Sequence, residues 1–268
     1  YLSLALEHPD FVARVEEIVA EFRTLHERSA GELPSTAGIR VAVLNAWGKL
    51  RTWQTHMVAH ALHYRQAYSY LGVVEALSGL PFDVEFIDFD DVLGGALDRV
   101  DVLVNVGQIG TAFSGGDAWL DADLVAAVNG FITADLPESF DVGEGTSDVV
   151  VVDGATEVLR AHDAQVLASA HAFGAGRGVY FAGLPYSLAN SRLLHRAIHW
   201  AAGREADWGV WTAEDPRVEV AHYERGGQLL VFNNADEAVS TTVGGPDGHA
   251  WTVDVPAMAY AWLDITTL

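Results

Sequence analysis

No cysteine occurs in the 268 residues. That removes disulfides, thiolate metal sites and cysteine nucleophiles together, and it suits a cytoplasmic setting. Lysine is almost as scarce: of the 15 lysines and arginines, Lys49 is the one lysine. Against 37 acidic residues this leaves a formal net charge of −22, with no basic block anywhere. Such a surface repels phosphate backbones and anionic lipid, which argues against nucleic-acid and membrane partners. No apolar run approaches the roughly 20 residues of a spanning helix, and nothing resembles a signal peptide. Nucleotide fingerprints are missing too. No G-x-G-x-x-G follows the first strand, and the Gly110 to Gly115 spacing meets Gly116-Asp117 where a phosphate loop needs Lys-Ser or Lys-Thr.

What is present is ample core. Half the residues are hydrophobic, enough for one large domain or two ordinary ones. Tyr1 to Phe11 is apolar, lacks a starting methionine and runs straight into a helix, so the chain reads as the later part of a longer protein. Phe11, Val15, Ile18, Val19, Phe22 and Leu25 recur at helical spacing and predict an amphipathic helix over 10–28. Residues 29–38, rich in Gly, Ser and Pro, form a linker. Strands are expected at 39–45, 82–89 and 100–106, with helices at about 52–78 and 121–128. This order indicates an α/β fold, a doubly wound domain with a mainly parallel sheet. Further strands follow in VVVVDG, AQVLASAHAF and GVYFAGL, and a closing helix spans 191–202 with Leu194, Ile198 and Ala201 on one side. From about Asp207 the pattern is all β. VEVAHYE, QLLVFNN, VSTTV, HAWTVDV and AMAYAWLDI are separated by GG, NNAD and GPDG turns, predicting a small antiparallel β domain. The expected divisions are 1–38, 39–206 and 207–268.

The chemistry-bearing residues gather after the first strand. Trp47, Lys49, Arg51, Trp53 and His56 crowd a strand-to-helix junction where a plain connector needs only glycine and a cap. Ligands of open α/β sheets sit outside the carboxyl ends of the strands, and the glycine-rich loop 105–116 lies at the same edge. Aromatic faces stack on sugar rings, while guanidinium and ammonium groups hold phosphate oxygens. The junction therefore reads either as one wall of a sugar and phosphate site or as an interface plug. His56, His60 and His63 stand at i, i+4 and i+7, but no Glu completes a zinc-protease helix and packing explains them as well. Asp88, Asp90, Asp91 and Glu144 show no partner that makes a glycosidase carboxylate pair visible. Ser114 and Ser187 lack a nucleophile elbow. The chain alone shows no complete catalytic set.

LNAWGKLRTWQTHMVAHAL, SYLGVVEALSGLPFDVEFIDFDD, DVLVNVGQIGTAFSGG, FITAD and GRGVYFAGLPYSLANSRLLHRA together resemble the galacto-N-biose/lacto-N-biose phosphorylases. The likeness runs over nearly the whole chain. In that family a (β/α)8-like barrel precedes a glutamine-amidotransferase-like α/β domain and a C-terminal β domain. The resemblance implies that the last two are here and that the chain's own N-terminal barrel, with the aspartic acid that protonates the glycosidic oxygen, is missing. No catalytic residue is therefore assigned. It further implies inverting phosphorolysis of β-1,3-galactosyl-N-acetylhexosamines to α-galactose 1-phosphate, with inorganic phosphate as co-substrate, no cofactor and a homodimeric assembly; the rival readings are a non-catalytic dimerisation or sugar-binding module, part of a β-galactosidase, or part of a galactosyl-rhamnose phosphorylase. Amidotransferase chemistry is excluded, because it needs a cysteine nucleophile. One departure stands out. The family pattern expects another glycine-rich strand before FITAD, but Asn129-Gly130 leads straight into Phe131.

Overall fold

The computed structural model describes residues 7–44, 71–106, 131–135, 157–160 and 166–266. Helix α1, Pro9–Arg28, begins with proline at its first turn, where the missing N–H costs nothing. Asp10 in the first turn and His26 and Arg28 in the last complement the helix dipole. The helix ends at Arg28 with Ser29 as its C-cap; Ala30 then turns left-handed at φ of 53°, and the Gly31 N–H reaches back to the His26 carbonyl at 3.0 Å.

The linker then delivers β1, Arg40–Leu44, between two parallel neighbours: β2, Asp83–Ile87, and β3, Val102–Asn105. Val41, Ala42 and Val43 are fully buried, as a central strand covered on both faces requires. Alternation divides them. Val41 and Val43 face Ala76, Leu77, Phe82, Leu194 and Ile198, while Ala42 and Leu44 face Ile87 and Ala96. Residues 71–77 are helical and turn at Gly79, close to the expected helix end.

Strand β2 stops sooner than its apolar pattern predicts. Asp88 accepts hydrogen bonds from the Asp90 and Asp91 amides at 2.7 and 3.0 Å, and the Asp91 carboxylate accepts from the Asp88 amide at 2.9 Å. This capping box turns Phe89 into the first residue of α2, Phe89–Leu93.

The second half of the α/β region departs from the expected parallel sheet. β4 (Glu157–Arg160), β5 (Val166–Phe173) and β6 (Gly176–Phe181) form a separate antiparallel sheet in the order β4-β5-β6. Gly174, with φ of 57°, is the first of two residues in the β5–β6 loop, the handedness that matches strand twist. Helix α3, Leu188–Ala201, joins the two sheets. Ser187 caps it, accepting from the Asn190 amide at 3.1 Å, so it starts three residues before the expected Ser191. Leu194 and Ile198 pack on the β1 side, and Leu193, Ala197 and Trp200 pack on Ile132, Ala170 and Phe181.

The C-terminal region matches the expected strands. β7 (Val218–Tyr223), β8 (Gln228–Asn233) and β11 (Ala259–Asp264) form one antiparallel sheet; β9 (Val239–Gly244) and β10 (Ala250–Val255) form another. Val218, Leu229, Val231, Val239, Val243, Val253 and Val255 fill the space between them. The buried Asn233 amide reaches the carbonyls of Glu237, Val255 and Pro256 at 2.8 to 3.1 Å, tying the β8 end to the second sheet. The whole is a mixed α/β molecule with small antiparallel sheets. No helix among the described residues is long and apolar enough to cross a membrane.

Candidate functional site

Trp47, Lys49, Arg51, Trp53 and His56 lie outside the described residues, as do His60, His63, Ser114, Glu144 and most of the glycine-rich loop. Their points of departure are described, and they are adjacent. Leu44, which precedes the tryptophan junction, pairs with Asn105, which opens the glycine-rich loop, and with Ile87. Parallel neighbours stand about 4.8 Å apart, so both candidate segments leave the same carboxyl edge from side-by-side strands. That edge is where open α/β sheets place their ligands. Two of the acids considered at this edge are otherwise engaged, since Asp88 and Asp91 form the capping box of α2. Ser187 is likewise a helix cap.

A second cluster, which the sequence reading missed, surrounds Trp208. The Arg196 guanidinium lies 4.0 Å from the centre of its ring and that of Arg192 5.5 Å. The His195 ring is at 4.5 Å, His199 at 5.5 Å and Phe131 at 5.9 Å. Arg192 with Arg196, and His195 with His199, are each one helical turn apart on α3, so one face presents all four. That i, i+4 pairing was the available signal, but charged residues on a helix read as solvated.

These groups are spent on protein partners. Arg196 Nε meets Asp135 Oδ2 at 2.5 Å and its Nη1 donates to the Phe131 carbonyl at 3.3 Å. Arg192 Nη2 donates to the carbonyls of Ala213 and Glu214 at 2.8 and 3.1 Å. Burial lowers the Arg192 pKa from its usual value, although a guanidinium stays charged throughout the physiological range. Burial first, then the neighbouring His199 and the two arginines, push His195 well below the ordinary imidazole range. Burial also lowers His199, whose Nδ1 lies 3.1 Å from the Arg204 carbonyl. Both rings are neutral at pH 7. His195 Nε2 is buried with no hydrogen-bond partner among the described residues. The cluster is thus a lock, holding residues 131–135 and 204–214 against α3, rather than a phosphate cradle.

Two hollows lie among the described residues. The cleft between α3 and the β sandwich, lined by Glu75, Tyr186, Ser191, Arg192, His195 and Trp211, has a volume of about 50 Å³. That is room for a water or two and not for a disaccharide. Trp211 beside it adopts a left-handed φ of 53° and stacks on His222 at 3.7 Å. A wider depression of about 510 Å³ is lined by Glu27, Arg28, Gln228, Trp262 and Asp264. It has the size and the mixed polar and aromatic lining of a sugar site. However, Arg28 sits over Trp262 at 5.3 Å, on the face a sugar ring needs.

Comparison with known proteins decides the family. Residues 40–135 and 126–206 match the lacto-N-biose phosphorylase central domain, and residues 211–263 match the lacto-N-biose phosphorylase C-terminal domain. The chain belongs to the lacto-N-biose phosphorylase family. A 1,3-β-galactosyl-N-acetylhexosamine phosphorylase of Lachnoclostridium phytofermentans is 36% identical over 316 residues, covering 98% of this chain and 43% of the relative. Its counterpart in Bifidobacterium longum subsp. longum is 33% identical, covering 98% of this chain and 46% of the relative. A D-galactosyl-β-1→4-L-rhamnose phosphorylase of L. phytofermentans is 30% identical, covering 96% and 42%. The chain therefore spans less than half the length of these lacto-N-biose phosphorylase relatives. Among solved structures, the β-galactosidase of Bacillus circulans sp. alkalophilus has a TM-score of 0.41 at 16% identity, covering 84% of this chain and 41% of that one. A GH42 β-galactosidase, Gan42B of G. stearothermophilus, has 0.46 at 13% identity, covering 93% and 43%. Both likenesses are loose.

The family match also bears on the odd junction at Asn129-Gly130. The central-domain match comes in two pieces that overlap at 126–135, and the alignments with relatives run 308 to 348 residues against 268 here. The relatives carry residues that this chain lacks. Trp208, for its part, falls in the short gap between the two matched domains.

Proposed function

We propose that this chain is the central and C-terminal portion of a phosphorylase that splits a β-1,3-galactosyl-N-acetylhexosamine with inorganic phosphate. Its products are α-galactose 1-phosphate, with inversion, and the free N-acetylhexosamine. The observation that carries this reading is the match of both domain families in order along the chain, with identity of 33 to 36% to enzymes of that name. Residues 39–206 form the amidotransferase-like unit, residues 207–268 the β unit, and 1–38 lead in from a barrel that carries the proton donor. Phosphate is already a nucleophile, so no enzymatic base is needed to activate it; cationic groups must instead hold the anion near an oxocarbenium-like transition state. Trp47, Lys49, Arg51, Trp53 and His56 suit that task in residue type, and the pairing of Leu44 with Asn105 supports their standing at the ligand edge of the sheet.

The test is an assay of the full-length protein for galactose 1-phosphate release with and without inorganic phosphate. Lacto-N-biose, galacto-N-biose and galactosyl-β-1→4-rhamnose serve as substrates, the last because one relative bears that name. Phosphate-dependent release from the first two is expected. Cleavage that proceeds equally without phosphate would mean a hydrolase. The 268-residue chain alone should show no turnover.

A further inference from the structure

Helix α1 presents an apolar face that no described residue covers. Phe11, Val15, Ile18, Val19 and Phe22 lie along one side, and all five are exposed, Phe22 at 65%. No residue of the helix is buried among the described residues. The stripe runs for about 16 Å at 1.5 Å per residue. A water-facing helix carries polar residues on that side, and a contiguous apolar stripe marks a contact surface.

The stripe is held out firmly. A side chain at Gly226 would collide with the Arg28 carbonyl, so the helix end sits directly on the β7–β8 turn. Arg28 lies over Trp262. Just beyond, Glu32 takes hydrogen bonds from the Arg225 amide and guanidinium at 2.6 and 2.9 Å. The helix is therefore anchored at its C-terminal end to the sandwich, and its bare face is a fixed shelf.

The comparisons point to the occupant. The helix lies ahead of residue 40, outside both matched domains, yet alignments with relatives take in 98% of this chain. The domain that begins at residue 40 is a central one, and the relatives are more than twice as long as the portion matched. We propose that the α1 face seats the polypeptide that precedes the central domain in the full-length protein. This rests on reading the chain as part of a longer phosphorylase. A second copy would have to find the helix from bulk solution. A covalently connected segment, by contrast, acts at millimolar effective concentration. Arg14, paired with Glu17 at 2.8 Å, and Glu16, Glu21 and Arg23 lie exposed on the same helix, so the seated surface is apolar at its centre with charges of both signs at its rim.

The experiment places p-benzoylphenylalanine at position 22 of the full-length protein, irradiates it and sequences the captured peptide. Phe22 points away from the body of this chain and the replacement keeps an aromatic ring there, so the helix stays intact. Capture of a peptide from the polypeptide preceding residue 1 is expected. Capture of residues 45–70, capture of a second copy (seen by mixing with isotope-labelled protein), or no capture overturns the proposal. As a second measurement, Phe22→Asp in the full-length protein should lower Tm, and an unchanged Tm also overturns it. Neither readout needs turnover, so absence of phosphorolysis alongside correct capture would sink the proposed activity and leave the seat standing.

Discussion

Asp135 and Arg196 form an ion pair at 2.5 Å that fastens residues 131–135 to α3. Arg196 also lies on Trp208 and on Phe131. One guanidinium therefore joins the helix between the sheets, the FITAD segment and the link to the sandwich.

Removing the carboxylate leaves that cation largely buried and without its ionic partner. A fully buried broken pair costs about 3–5 kcal/mol. Asp135 is 42% exposed, so water takes up part of the loss, and Asp135→Asn should cost about 1–2 kcal/mol. Urea unfolding of the variant against the parent measures it, and an unchanged midpoint would count against the lock.

Trp208→Ala removes the ring shared by two arginines and two histidines. A half-buried tryptophan with cation–π partners is worth about 2–3 kcal/mol. Trp208→Phe keeps an aromatic face and should recover about half of that. Thermal unfolding of the three proteins side by side gives the comparison.

The buried imidazoles make stability depend on pH in a definite direction. His195 and His199 are depressed by burial below the ordinary value of 6.5, so the unfolded chain binds protons more readily than the folded one. Their contribution is intact above about pH 6.5 and is lost as pH falls from there toward the folded pKa values. Unfolding midpoints between pH 8 and pH 5 should fall, and His195→Gln should flatten the decline. An equal slope in the variant would show that other groups set it.

Asp88→Ala tests whether the acids after β2 serve structure or reaction. Loss of the capping box should cost about 1 kcal/mol of stability. In the full-length protein, a carboxylate that serves only as a cap leaves kcat within about twofold of the parent, and a larger loss would give Asp88 a part in the reaction.

Trp47→Ala and Arg51→Ala in the full-length protein separate a site wall from an interface plug. As a site wall, Arg51→Ala raises the KM for phosphate by about tenfold, the loss of one charge-assisted contact, with assembly unchanged. Dissociation to monomers, with normal KM per folded subunit in sedimentation and kinetic measurements, would assign the junction to an interface instead.

The architecture was legible where one pattern ruled. The sandwich strands show clean alternation, and β9 buries every second residue from Val239 to Val243. β1 reads as a continuous apolar run because it is central. Local chemistry defeated the pattern elsewhere. Phe89 looks like strand but follows an aspartate cap, and α3 starts early because Ser187 caps it after Pro185. β4, in ATEVLRAHD, has no alternation to find and pairs through β5. The lock around Trp208 was invisible because the four α3 residues that form it are charged or ionisable, and only the fold shows that they are covered.

The linker also has a practical bearing. Ser35 donates its amide to the His222 carbonyl at 2.7 Å, and two residues later Ala37 donates to the Pro81 carbonyl at 2.6 Å. A single short run of chain is thus sewn to the sandwich on one side and to the α/β unit on the other. Cutting near residue 210 to obtain either half would open a seam rather than a joint, and each piece would carry a torn edge.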